Sequence, residues 1–211
     1  MKKILTLIFV AIAIGCAVLV AQWGAFTDSD ARQEPVIVAF GDSVTEGVGA
    51  SFIDFTYVSR LSVAVDRPIA NLGVSGDTTG SALARIDQVV ELQPDIVIVF
   101  LGGNDAIRGV PVDVVEQNLV AIIDRLEEVE AEVLLLGTQE APFGFTEFTD
   151  LYSEVVENTG VASVSNFYDG ILSNSELLAD PIHPNDDGYG LLAERVEPAL
   201  EELLADLDAF Q

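Results

Sequence analysis

After Lys3 the chain contains no lysine, and over its whole length it has one histidine and one cysteine. Each shortage excludes something. A lone cysteine, Cys16, allows no disulfide within the chain. One cysteine and one histidine do not make the ligand set of a zinc centre. No Gly-Lys-Ser/Thr run is present to cradle nucleotide phosphates, and Gly47-Val48-Gly49-Ala50-Ser51-Phe52 lacks the third glycine of a dinucleotide-binding turn. Neither Asp28-Ser29-Asp30 nor Asp186-Asp187-Gly188 has the spacing of a calcium loop. No metal and no cofactor are expected.

What the chain has in excess is acid: 35 Asp and Glu against 9 Lys and Arg, a net charge of -26. Beyond Pro35 the only basic residues are Arg60, Arg67, Arg85, Arg108, Arg125 and Arg195. The acids are spread along the chain rather than gathered in a tail, so they mark a surface and not a disordered arm. That surface repels nucleic acid and anionic lipid, and no nucleic-acid partner is expected. In molar salt the screening length falls to about 3 Å, and such self-repulsion becomes tolerable. Acidity without lysine therefore reads as adaptation to a salty medium.

From Ile4 to Phe26 the chain carries no charge; Lys2-Lys3 precede this run and Asp28 follows it. At about 1.5 Å per residue the run covers roughly 35 Å, enough for the hydrocarbon core of a bilayer. With the basic end held in the cytoplasm, the expectation is an N-terminal membrane anchor, residues 1–26, and an extracytoplasmic body. Two other readings stand beside it: a cleaved signal peptide, and a lipoprotein processed at Ala13-Ile14-Gly15-Cys16. Residues 27–35 read as a polar tether and 36–211 as one domain, expected to be a monomer.

Within that domain short β-branched runs alternate with helical periodicity. Strands are expected at Val36–Phe40, Ile69–Asn71, Ile96–Leu101, Val133–Leu136 and Val161–Val164. Helices are expected over Thr56–Val65, Ser81–Leu92, Val112–Glu130, Glu147–Glu157 and Tyr189–Leu207. This alternation predicts a three-layer α/β/α fold around a mostly parallel sheet of about five strands, with ligands at the carboxyl ends of the strands.

Those ends carry the polar loops. The first strand leads into Gly41-Asp42-Ser43, the second into Asn71-Leu72-Gly73 with Ser75-Gly76-Asp77 behind it, and the third into Gly102-Gly103-Asn104-Asp105. Asp180-Pro181-Ile182-His183-Pro184 lies just before the last helix. A lone histidine is more often structural than catalytic, and Asp-Ser after a strand is an ordinary helix cap. An Asp three residues before the histidine changes the balance, because it can fix one imidazole tautomer, and the flanking prolines stiffen the segment.

Taken in order, these four blocks resemble the SGNH (GDSL-type) hydrolases, and within them the bacterial thioesterase I/lysophospholipase/arylesterase branch. Ser75-Gly76-Asp77-Thr78 and Leu101–Gly109 carry the likeness to that branch. The resemblance implies a flavodoxin-like fold and a serine esterase acting on carboxylic esters or thioesters. It implies Ser43 as nucleophile, His183 as base and Asp180 as its orienter. It also implies an oxyanion hole from the Ser43 and Gly73 N–H groups and the Asn104 amide. Asp42 and Asp105 are expected to brace loops. Phe143, Phe145 and Phe148, after the fourth strand, are expected to wall an acyl-chain site for a small-molecule or lipid ester, with packing into the core beneath the following helix as an equal alternative. A carbohydrate O-deacetylase using the same blocks is the main alternative, and a non-catalytic acidic binding module a weaker one.

Overall fold

The computed structural model describes residues 34–140, 144, 146–148 and 150–210. The expectations for the apolar N-terminal segment and for Phe143 and Phe145 concern residues outside this set. Among the described residues no helix is long and apolar enough to cross a membrane.

Five strands form one sheet: β1 (Ile37–Gly41), β2 (Ile69–Gly73), β3 (Ile96–Phe100), β4 (Glu132–Leu136) and β5 (Ala162–Val164). Their order is β2-β1-β3-β4-β5 and every pairing is parallel. β1 and β3 are buried at every position, which is why both read as unbroken apolar runs rather than alternating ones. Alternate residues face opposite layers. Ile37, Ala39, Ile96, Ile98 and Phe100 pack with α2 (Tyr57–Ala64) and α8 (Asp186–Phe210). Val38, Phe40, Val97 and Val99 pack beneath α3 (Thr79–Leu83), α6 (Val112–Glu127) and α7 (Leu151–Thr159).

The chain winds from β1 outward to β2, then returns past β1 to β3. The connections after β1 and β3 therefore part company between adjacent strands, and their carboxyl ends flank the crevice where α/β sheets bind ligands. Two short helices open there: α1 (Ser43–Glu46) directly after β1 and α5 (Gly103–Arg108) directly after β3.

One helix differs from its sequence pattern. Ser81–Leu92 has the periodicity of a single amphipathic helix, yet it folds as α3 followed by α4 (Asp87–Val90). Tight i to i+3 turns join them, with Arg85 N–H donating to Ala82 O and Ile86 N–H to Leu83 O. The cause is tertiary. Arg85 turns inward, its Nε 2.6 Å from Asp77, and donates to the carbonyls at the ends of β1 (Gly41, 3.1 Å) and β2 (Leu72, 3.0 Å). Its guanidinium also lies over the Phe40 ring. These contacts clamp the β2 loop to the site edge.

Candidate active site

Ser43 is the first residue of α1 and is 8% exposed. Asp42 caps that helix, its Oδ1 accepting from Val44 N–H at 3.0 Å. The side chain of Ser43 is thereby aimed along the crevice by a turn only four residues long. His183 Nε2 lies 3.0 Å from Ser43 Oγ. On the other side of the ring, Nδ1 lies 2.7 Å from Asp180 Oδ2.

The histidine segment holds itself in shape. Asp180 Oδ1 accepts from the backbone N–H groups of both Ile182 and His183, each at 2.9 Å. Tyr168 Oη donates to Ile182 O at 2.8 Å from the core below. The Ile182 N–H, then the His183 side chain, holds the Asp180 carboxyl below the usual carboxylate range although it is largely exposed. An ionised Asp180 facing Nδ1 fixes a proton there, which leaves the Nε2 lone pair for the Ser43 hydroxyl.

On the opposite wall stands Asn104, in the first turn of α5. Its Nδ2 donates to Asp42 Oδ2 at 3.2 Å. Burial pushes the Asp42 carboxyl up to about 7, against the lowering effect of the Val44 N–H, the His183 charge and Asn104. Beneath α5, Asp105 accepts from both Thr79 N–H and Thr79 Oγ1, tying α5 to α3. Asp42 and Asp105 thus brace loops, as expected from the sequence.

Between these walls opens a cavity of about 490 Å³ that includes space open to solvent. Ser43, Asn104 and His183 meet at it, and its sides are Val44, Phe100, Ile107, Tyr168, Leu172 and Ile182. Among the described residues no group of three or more His, Cys, Asp and Glu could hold a metal ion.

Residues 39–191 match the family described as "GDSL-like Lipase/Acylhydrolase family", a span holding every residue just placed at the cavity. The chain belongs to this GDSL-like lipase/acylhydrolase family. It is 31% identical over 200 residues to "Esterase TesA" of Pseudomonas aeruginosa, covering 90% of this chain and 96% of that one. It is 30% identical over 181 residues to "Thioesterase 1/protease 1/lysophospholipase L1" of Escherichia coli K12, covering 80% and 84%. A solved structure of TesA superposes with a TM-score of 0.74 at 29% identity, over 80% of this chain and 99% of that one. This GDSL-family chain is accordingly an α/β/α hydrolase of ester bonds.

Two residues named from the sequence do other work in this GDSL-family site. Gly73 has its N–H committed to Asn71 Oδ1 at 2.9 Å, so it is not free to receive an oxyanion. Its lack of a side chain serves packing, since a Cβ there would stand 2.1 Å from Glu46 N on α1. Phe148 is 2% exposed in the core with Leu151, Tyr152 and Val155, under α7, and is no part of the cavity wall. The wall comes instead from residues that the sequence reading passed over, chiefly Phe100 and Ile107 around Asn104, and Leu172 and Ile182 around the histidine. Phe100 was findable: it ends a buried strand two residues before the Gly102-Gly103 turn.

Proposed function

We propose that this esterase works through an acyl-enzyme on Ser43. The observation that carries the reading is the hydrogen-bonded series Ser43 Oγ–His183 Nε2 and His183 Nδ1–Asp180 Oδ2, at 3.0 and 2.7 Å. Ser43 Oγ attacks the ester carbonyl carbon as His183 Nε2 takes its proton. The imidazolium, steadied by Asp180, then protonates the departing alcohol or thiol. Water, deprotonated by His183 in its turn, attacks the acyl-enzyme and releases the carboxylic acid.

The developing oxyanion needs preorganised donors. The Ser43 N–H makes no hydrogen bond among the described residues, and Asn104 has a second amide hydrogen beyond the one given to Asp42. For the third donor we favour Gly76 over Gly73. The Gly76 N–H is without a partner among the described residues, its φ is +82°, and Arg108 of the Asn104 helix fixes its carbonyl at 2.7 Å. The apolar side walls at Val44, Phe100, Ile107, Leu172 and Ile182 favour an acyl chain over an acetylated sugar, so single-chain lipid or aryl esters are the proposed substrates.

An organophosphonate ester is the test. It should label Ser43 and nothing else, and Ser43→Ala and His183→Asn should each lower kcat/KM by at least about 10³-fold, the double variant being little worse. In the adduct the phosphonyl oxygen should lie within about 3 Å of the Ser43 and Gly76 N–H groups and the Asn104 amide. Labelling that survives Ser43→Ala would refute the mechanism. A phosphonyl oxygen on Gly73 instead of Gly76 would refute the donor assignment alone.

A further inference from the structure

Of the large apolar side chains left exposed among the described residues, five follow β1, β2 or β3 on the catalytic edge: Phe52, Ile53, Phe55, Val74 and Ile107. The other three, Val63, Leu92 and Val114, sit on or beside helices that cover the sheet. Scattered single exposures are ordinary. Phe52 and Ile53, 70% and 64% exposed and adjacent in sequence, are different, because the segment presenting them is fastened in place.

Ser51 donates from both its N–H and its Oγ to the two oxygens of Asp186, at 2.8 and 2.5 Å. Arg60 donates to Phe55 O and to Asp186 O, each at 3.1 Å, and its guanidinium lies 5.5 Å from the Phe55 ring. Phe55 in turn meets Phe52 edge-on at 6.2 Å. The Thr56 side chain caps α2 by accepting from Ser59 N–H. The knuckle is also built against the histidine segment, since a Cβ on Gly49 would stand 2.3 Å from Pro184 O and 3.1 Å from His183 Cβ. These contacts hold Phe52 and Ile53 outward in one arrangement.

We propose that this knuckle seats the catalytic edge on the surface of an aggregated, uncharged or zwitterionic ester, so that the enzyme works faster on packed substrate than on dissolved molecules. The proposal rests on the esterase reading and adds the physical state of the substrate to it. Ile107 supports it by being both a cavity wall and an exposed rim residue, which makes the apolar lining continuous with the outer surface. Charge decides which surface. Asp54 lies within the knuckle and Asp186 anchors it, in a chain of net charge -26, so an anionic interface is repelled.

The experiment follows the full chain on a neutral medium-chain ester taken from below to above its aggregation threshold. Phe52→Ser and Ile53→Ser, singly and together, are run beside it. Wild-type rate should step up several-fold at the threshold, and the double variant should follow a plain saturation curve through it. Both should hydrolyse a fully dissolved acetyl ester equally, which shows the variant to be folded. The apolar N-terminal run is common to both chains, so only their difference counts. A wild-type curve without a step, or a step that survives the double substitution, overturns the proposal. Loss of all hydrolysis on dissolved ester by wild type would instead overturn the esterase reading beneath it.

Discussion

Two carboxylates flank the Ser43–His183 pair in opposite surroundings. Asp42 is sealed under α1 and receives one N–H at each oxygen, from Val44 and Asn104. Asp180 stands with its side chain 44% exposed and receives two backbone N–H groups besides the imidazole. Burial dominates the first and lifts it to about 7; hydrogen bonds dominate the second and hold it low. Proximity to the catalytic serine therefore says little about how an acid behaves. What counts is the number of donors set against the loss of water. Asp180 is arranged to remain an anion, and Asp42 is a positioning group with a charge that comes and goes near neutrality.

The contrast breaks first at Asp180. Asp180→Asn removes the anion that fixes the Nδ1 proton, and kcat should fall about 10²–10⁴-fold with KM little changed, measured on an aryl ester. A loss under tenfold would mean that the backbone alone orients His183.

Asp42→Asn should cost less, about 10–10²-fold in kcat, because it acts through Asn104, one oxyanion donor among three. An amide at 42 has one acceptor oxygen for two donors, the Val44 N–H and the Asn104 amide, so one of the two contacts is lost. Its pH profile separates this from a general structural effect. Wild type should lose activity as protonation of Asp42 near pH 7 takes away that acceptor, and the Asn variant should lack this component while keeping that of the base. Stability carries an opposite sign. The folded-state value lies above the ordinary 3.8 of an aspartate, so Asp42 favours folding fully below about 3.8, and that contribution is lost as pH rises towards 7. Wild type should therefore lose, between pH 4 and 7, stability on the order of 4 kcal/mol that the variant keeps. Identical profiles for the two proteins would remove Asp42 from the account.

Salt should sharpen the contrast most gently. Raising potassium chloride from 0.1 to 2 M screens the acidic surface and should raise the melting temperature, as the salt-adapted reading requires. The pH component assigned to Asp42 should hold its position far better, since that group is buried rather than on the acidic surface. A melting temperature that stays level or falls would sink the salt-adapted reading.

The sequence exposed the residues that touch one another through chemistry and hid those that touch through geometry. Ser43, Asp180 and His183 were legible because their types and order are restrictive, and the structure brings them together. The five strands were legible within a residue or two, because β1 and β3 are apolar on both faces. The helices that aim the site were not, since α1 and α5 are four and six residues long, shorter than any periodicity can reveal. The break between α3 and α4 depends on where Arg85 finds carbonyls, which is a tertiary fact. Choosing between Gly73 and Gly76 as donor turns on which N–H is already taken, and a glycine's letter does not record that. At Phe148 the choice between acyl-chain wall and core was hidden for a related reason: a phenylalanine in a loop must pack somewhere, but only the fold says against what.

A parallel sheet has poles. All five strands run the same way, so every amino end lies at one pole and every polar loop discussed above at the other. The chain enters at the first pole, where Val36 N–H is held by Asp95 at the mouth of β3. The strand that receives the chain at the first pole thus delivers Ser43 at the other, two residues beyond its end.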